Sequence, residues 1–156
     1  MTKKEILAME SGRKLDALVE EKLFNHQSEW RYCNWLPEGY YEVQSYGEER
    51  IRGGLLDEDE LHPCYREGEK WIVTPFYSTD MTDAWKVVEK LCNWNVHDNM
   101  LILQGQTPHL EQEGEEDKVG WWEAEINGDW GKVVAEGKTA SEAICRAALL
   151  AGLKSD

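Results

Sequence analysis

Apolar residues recur at three- and four-residue steps in three stretches of the chain, and each predicts a helix with one buried stripe. Between Ser78 and Trp94, STDMTDAWKVVEKLCNW puts Met81, Ala84, Trp85, Val88, Leu91 and Cys92 on one face. Ser78, Thr79 and Asp80 supply side-chain oxygens for the free N–H groups at its start. Over residues 12–24, Leu15, Leu18, Val19 and Leu23 form a second stripe, with Lys14, Asp16, Glu20, Glu21 and Lys22 expected outward. Near the end, Ala140, Ala143, Ile144, Ala147, Ala148 and Ala151 form a third. A capping box of Thr139 and Glu142 would open that helix and Gly152 would close it. Its alanines imply close approach to a sheet. Thr2 with Glu5 fits a further capping box, predicting a short first helix that Ser11-Gly12 interrupts.

Period-two alternation is weaker. Tyr41 and Val43 alternate with Glu42 and Gln44 after a turn at Pro37 and Gly39, and a second short strand is expected around residues 49–52. Residues 55–69, LLDEDELHPCYREGE, read as a polar excursion, and Lys70–Thr74 as a strand stopped by Pro75. Met100–Gln104 is a short continuous apolar run, as in a strand covered on both faces. In VGWWEAEI, Trp122, Ala124 and Ile126 share a face opposite Trp121, Glu123 and Glu125. Asn127-Gly128 signals a hairpin, with Trp130–Ala135 returning as the partner strand. A hairpin requires antiparallel pairing. The expected class is therefore α+β, an α/β/α sandwich-like arrangement in which helices cover a central antiparallel or mixed sheet.

The 156 residues suit a single domain, with an irregular aromatic and acidic insertion over 25–77 and an acidic loop over 105–118. A chain of this size buries enough surface to need no disulfide or metal staple. The formal charge of −14 opposes direct nucleic-acid binding and attraction to anionic membranes. It suits solubility or a basic protein partner. No apolar run reaches the length of a signal peptide or membrane helix, so a cytoplasmic location is expected. Cys33, Cys64, Cys92 and Cys145 are widely spaced and read as free thiols.

Three blocks carry a resemblance: TKKEILAMESGRKLDALVEEKLF, YSTDMTDAWKVVEKL and TASEAICRAALLAGL. In this order they resemble the phage ABA sandwich domain family, small proteins of phages and prophages. The resemblance covers the first 24 residues and most of residues 71–153, and is least over 25–70 and 106–118. It implies a three-layer sandwich and phage origin. It implies no biochemical activity and no site residue.

Candidate chemistry is sparse. His62 and Cys64, with His26 and Cys33 upstream, could supply metal ligands, but the spacing is wider than in structural zinc sites. Cys33 or Cys64 with His26, His62 or His97 could form a nucleophile and base, yet no catalytic signature surrounds any of them. No metal or cofactor is expected, and enzyme chemistry ranks third among the functional readings. The sharper signal is aromatic. The chain has eight Trp and six Tyr but only two Phe. Trp30, Tyr32, Trp35, Tyr40, Tyr41, Tyr46, Trp71 and Tyr77 crowd into the insertion, where they either fill a core or form a binding surface. The leading expectation is a non-enzymatic accessory protein that binds a host or phage protein through these aromatics and its acidic surface. The alternative is a pocket for a nucleotide-like ligand, with Arg31, Arg50, Arg52 or Arg66 on its phosphates.

Overall fold

The computed structural model describes residues 2–37, 41–47, 61–94, 100–106, 121–128 and 131–155. At its start Thr2 and Glu5 satisfy each other's backbone. The Thr2 hydroxyl accepts the Glu5 N–H at 3.3 Å, and the Glu5 carboxylate accepts the Thr2 N–H at 2.6 Å. This closes the first turn of α1, Lys3–Ala8. Helix α2, Arg13–Val19, continues into a π-helical turn, Glu20–Phe24, that ends at Asn25 with φ of 61°. Asparagine tolerates this left-handed conformation, which folds the chain back over the helix end. Leu15, Val19 and Leu23 are buried as the stripe predicts. Asp16 and Glu20 are also buried, which corrects the expectation that they face water.

The described strands are antiparallel, as the hairpin signal requires, and they divide into two sheets. In the four-stranded sheet the order is β2 (Tyr41–Gly47), β1 (Glu29–Trp35), β3 (Leu61–Glu67), β4 (Lys70–Val73). A bulge between Arg31 and Cys33 bends β1, and β2 approaches β4, so the sheet curls. Strand β3 replaces part of the expected polar excursion. His62, Pro63 and Cys64 are all buried, so β3 shows no polar–apolar alternation at its centre. The expected strand at 49–52 and His97 lie outside the described residues.

In the three-stranded sheet β5 (Met100–Gln106), β6 (Trp121–Gly128) and β7 (Gly131–Gly137) follow in chain order. The β6–β7 hairpin forms, but Asn127 and Gly128 belong to its ladder, opposite Lys132 and Gly131. The turn signal therefore falls on ladder residues. Ala124 and Ile126 point into the core, whereas Trp122, in phase with them, is exposed at the rim.

Helix α4, Ala140–Ser155, packs on β6 and β7. From Ser141 to Ala151 all its residues but Arg146 are buried, so it is enclosed on nearly every side. Contact is close enough that a Cβ on Gly137 would lie 2.6 Å from the Ala143 nitrogen. The Thr139 hydroxyl accepts the Glu142 N–H at 3.1 Å, half of the expected box. The buried Glu142 carboxylate reaches elsewhere, to the N–H groups of Lys138 and Ser11 and to Arg146. Gly152 does not stop the helix; it lies inside it, facing Leu23.

Helix α3, Met81–Trp94, lies against α4 and starts where expected, the Asp80 carboxylate accepting the Asp83 N–H at 3.0 Å. Its buried stripe is Ala84, Val87, Val88 and Leu91. Met81 and Trp85, expected on that stripe, are 41 % and 51 % exposed. The side chain of Cys92 lies outside the description, and Cys145 is buried in the core.

Candidate functional site

The β1–β2 ladder closes on Trp35 opposite Tyr41, and their rings meet edge-to-face at 4.8 Å. Tyr41 continues inward to His62 at 4.5 Å and Phe76 at 6.0 Å. The Arg13 guanidinium lies 4.0 Å over Phe76. These rings form a continuous stack from the interior to the rim, and Trp35 is its outer member, 61 % exposed. A large ring so supported keeps one orientation at little entropic cost, as binding hot spots do.

The other described candidates differ in their settings. Trp30 and Tyr32 are half-buried in β1. Trp71 is covered by the Arg31 guanidinium at 3.7 Å, with Arg66 at 5.9 Å. Tyr77 is a core residue, which corrects its place among surface candidates: it stacks on Phe24 at 5.4 Å and donates its hydroxyl to Glu20 at 2.7 Å. Burial, and then the Glu20 carboxylate, push its phenol above the ordinary range. Tyr40, Arg50 and Arg52 lie outside the described residues, and only the backbone of Tyr46 is described.

Two polar constellations escape a reading by periodicity. The turn at Asn25 brings His26 back to Glu20, whose buried carboxylate lies 2.6 Å from Nδ1. The imidazole stacks on Tyr65 at 4.5 Å and borders an open cavity of about 350 Å³ lined by Glu21, Asn25, Gln27, Ser28 and Glu29. Further in, Arg13 donates to Asp16 at 2.8 Å and to the carbonyls of Thr74 and Pro75, and Asp16 accepts the Ser78 N–H at 2.7 Å. Burial raises the Asp16 carboxyl and lowers the Arg13 guanidinium from their ordinary values, so for both groups desolvation outweighs the mutual attraction. Cys33 and Cys64 bring their sulfurs to 3.6 Å. Among the described residues no three His, Cys, Asp or Glu side chains are grouped to hold a metal ion.

The model of the phage ABA sandwich domain matches residues 49–149. The chain belongs to the phage ABA sandwich domain family. The match runs through 106–118 and begins at 49, inside segments where the three sequence blocks gave least resemblance, and it leaves out the first block. Among solved structures, the chain is similar to a phage protein from Bacillus cereus ATCC 14579, at 19 % identity and a TM-score of 0.48, covering 92 % of this chain and 88 % of that one. No curated protein matches.

For this phage ABA sandwich domain the matched range holds α3, both described hairpin partners β6 and β7, and most of α4. Trp35, Tyr41, His26 and Cys33 precede it. No helix among the described residues is long and apolar enough to cross a membrane, which leaves strand-built spans unaddressed.

Proposed function

We propose that this chain acts by binding a protein, with Trp35 as the anchor and Tyr41 as its support. The observation that carries this reading is a tryptophan 61 % exposed yet fixed by a ring stack that reaches the interior. Its partner is expected to be basic, because a surface with net charge −14 speeds encounter with positive charge and repels acids.

The nucleotide-like reading has less support. Arg31 is already engaged over Trp71, and the lining of the cavity at His26 holds two carboxylates and no Lys or Arg for a phosphate.

The test compares the full chain with Trp35→Ala as immobilised bait for host-cell proteins, with quantification by mass spectrometry. A basic protein retained by the wild type should fall about tenfold or more with Trp35→Ala, the loss expected of a hot-spot residue. The melting temperature should stay within about 2 °C. Equal retention by both chains would sink the proposal. So would a partner lost only together with the fold. A nucleotide that raised the wild-type melting temperature would favour the pocket instead.

A further inference from the structure

We infer that Cys33 and Cys64 are a paired thiol site that closes to a disulfide on exposure to a peroxide, joining the bent strand β1 to β3 across the inside of the curled sheet. Three observations support the pairing. The two sulfurs lie 3.6 Å apart, in contact and with no atom between them. The contact spans 31 positions of sequence, so local chain geometry does not impose it. Both residues are buried, yet neither belongs to the main apolar cluster, which contains Cys145. Their surroundings are polar and cationic for an interior: Cys33 points to the Arg31 carbonyl at 3.5 Å and Cys64 to the His62 carbonyl at 3.4 Å, with Arg13 and Arg31 nearby.

The two thiols are coupled through their contact, and Arg13 and Arg31 act on both. The Cys64 thiol shares its hydrogen bond with Cys33, and with the charges of Arg13 and Arg31 this holds Cys33 below the usual thiol range against the effect of burial. Cys64 is pushed up by the same contact and by burial. In the inferred reaction Cys33 supplies the thiolate. It attacks one peroxide oxygen, the O–O bond breaks, and the leaving hydroxide takes a proton to become water. Cys64 then attacks the sulfur of the resulting Cys33 sulfenic acid and loses its proton as a second water departs. Two thiols and one hydrogen peroxide give one disulfide and two waters. Cys145 is as deeply buried as the pair but lies in the aliphatic cluster, where burial raises its thiol well above the usual range, and it stays reduced under the same treatment.

The crosslink encloses the rest of β1 after Cys33, all of β2 and the first residues of β3, so it restrains the segment that carries Trp35 and Tyr41. The site does not depend on the binding reading. A chain that binds nothing would still oxidise here.

The experiment uses the reduced full chain, treated with stoichiometric hydrogen peroxide, then denatured, alkylated and digested with trypsin without reductant. The expected product is the peptide beginning at Tyr32 joined to the peptide beginning at Gly53, with Cys145 alkylated. Reductant should restore both thiols, and the oxidised chain should melt several degrees higher than the reduced one. Three results would overturn the inference: both thiols alkylated after treatment, Cys33 carried to a sulfinic acid while Cys64 stays free, or Cys33 joined to a different cysteine. Cys64→Ser separates the steps. It should accumulate sulfenic acid on Cys33, trappable by dimedone, and trapping no faster than at Cys145 would also overturn it.

Discussion

Helix α4 sets Ala143, Ile144, Ala147 and Ala148 into one cluster with Ala124, Ile126, Val133 and Ala135 of the three-stranded sheet. Next to the four-stranded sheet, α2 instead places Arg13 over Phe76 and joins it to Asp16, and the interior beyond holds His62, Cys33 and Cys64. The first interior is aliphatic and set by small residues at close approach. The second is built from rings, thiols and a desolvated ion pair. An aliphatic core gains stability from area and close packing, and tolerates exchanges of similar volume. A polar core gains little net stability from its charges, but losing one partner strands the other.

The largest effect that would separate the two interiors is expected at Asp16. Asp16→Ala leaves the Arg13 guanidinium buried against Phe76 without its carboxylate, and urea denaturation should show a loss of about 3–5 kcal/mol. A loss below 1 kcal/mol would mean that the ion pair is incidental to this interior. On the aliphatic side, Gly137→Ala drives a methyl into the Ala143 backbone, and a loss of about 3 kcal/mol is expected in the same assay. A smaller loss would mean that α4 can slide on β7. Tyr77→Phe keeps the ring stack on Phe24 but takes a donor from buried Glu20, so it should cost about 1–2 kcal/mol.

A smaller effect appears in pH dependence. Burial holds Asp16 above its ordinary 3.8 when folded. The folded chain therefore takes up this proton before the unfolded chain does as pH falls. The stability linked to the protonated carboxyl is complete below 3.8 and is lost as pH rises through the raised folded value. The wild type should thus gain stability relative to Asp16→Asn as pH falls through that window, and denaturation of both chains across it provides the check. Smallest is the stability effect of Trp35→Ala, expected within about 0.5 kcal/mol, because the ring is the outermost member of its stack.

The same contrast explains what could be read from the sequence. The α+β class, four helices and the β6–β7 hairpin were legible because aliphatic burial leaves a period. Leu15, Val19 and Leu23, or Ala143, Ile144 and Ala147, can be recognised by spacing alone. The polar interior leaves none. Asp16 and Glu20 look like ordinary surface acids, and their burial depends on Arg13, Ser78, His26 and Tyr77 meeting them from elsewhere in the chain. Strand β3 was hidden because buried His62-Pro63-Cys64 does not alternate. Met81 and Trp85 illustrate the opposite error, since apolar side chains in helical phase with a core can still lie beyond its edge. Among the aromatic candidates, composition marked residues 30–77, but only packing distinguishes exposed Trp35 from buried Tyr77.

Arg146 donates to the Met9 carbonyl and Glu142 accepts the Ser11 N–H, across separations of 137 and 131 positions. The join between α1 and α2 is thus anchored on the last helix. During synthesis these early helices emerge long before their anchor exists, and their native seating must await α4. Contacts between such distant segments pay a large loop-closure entropy before they return any stability, which slows folding.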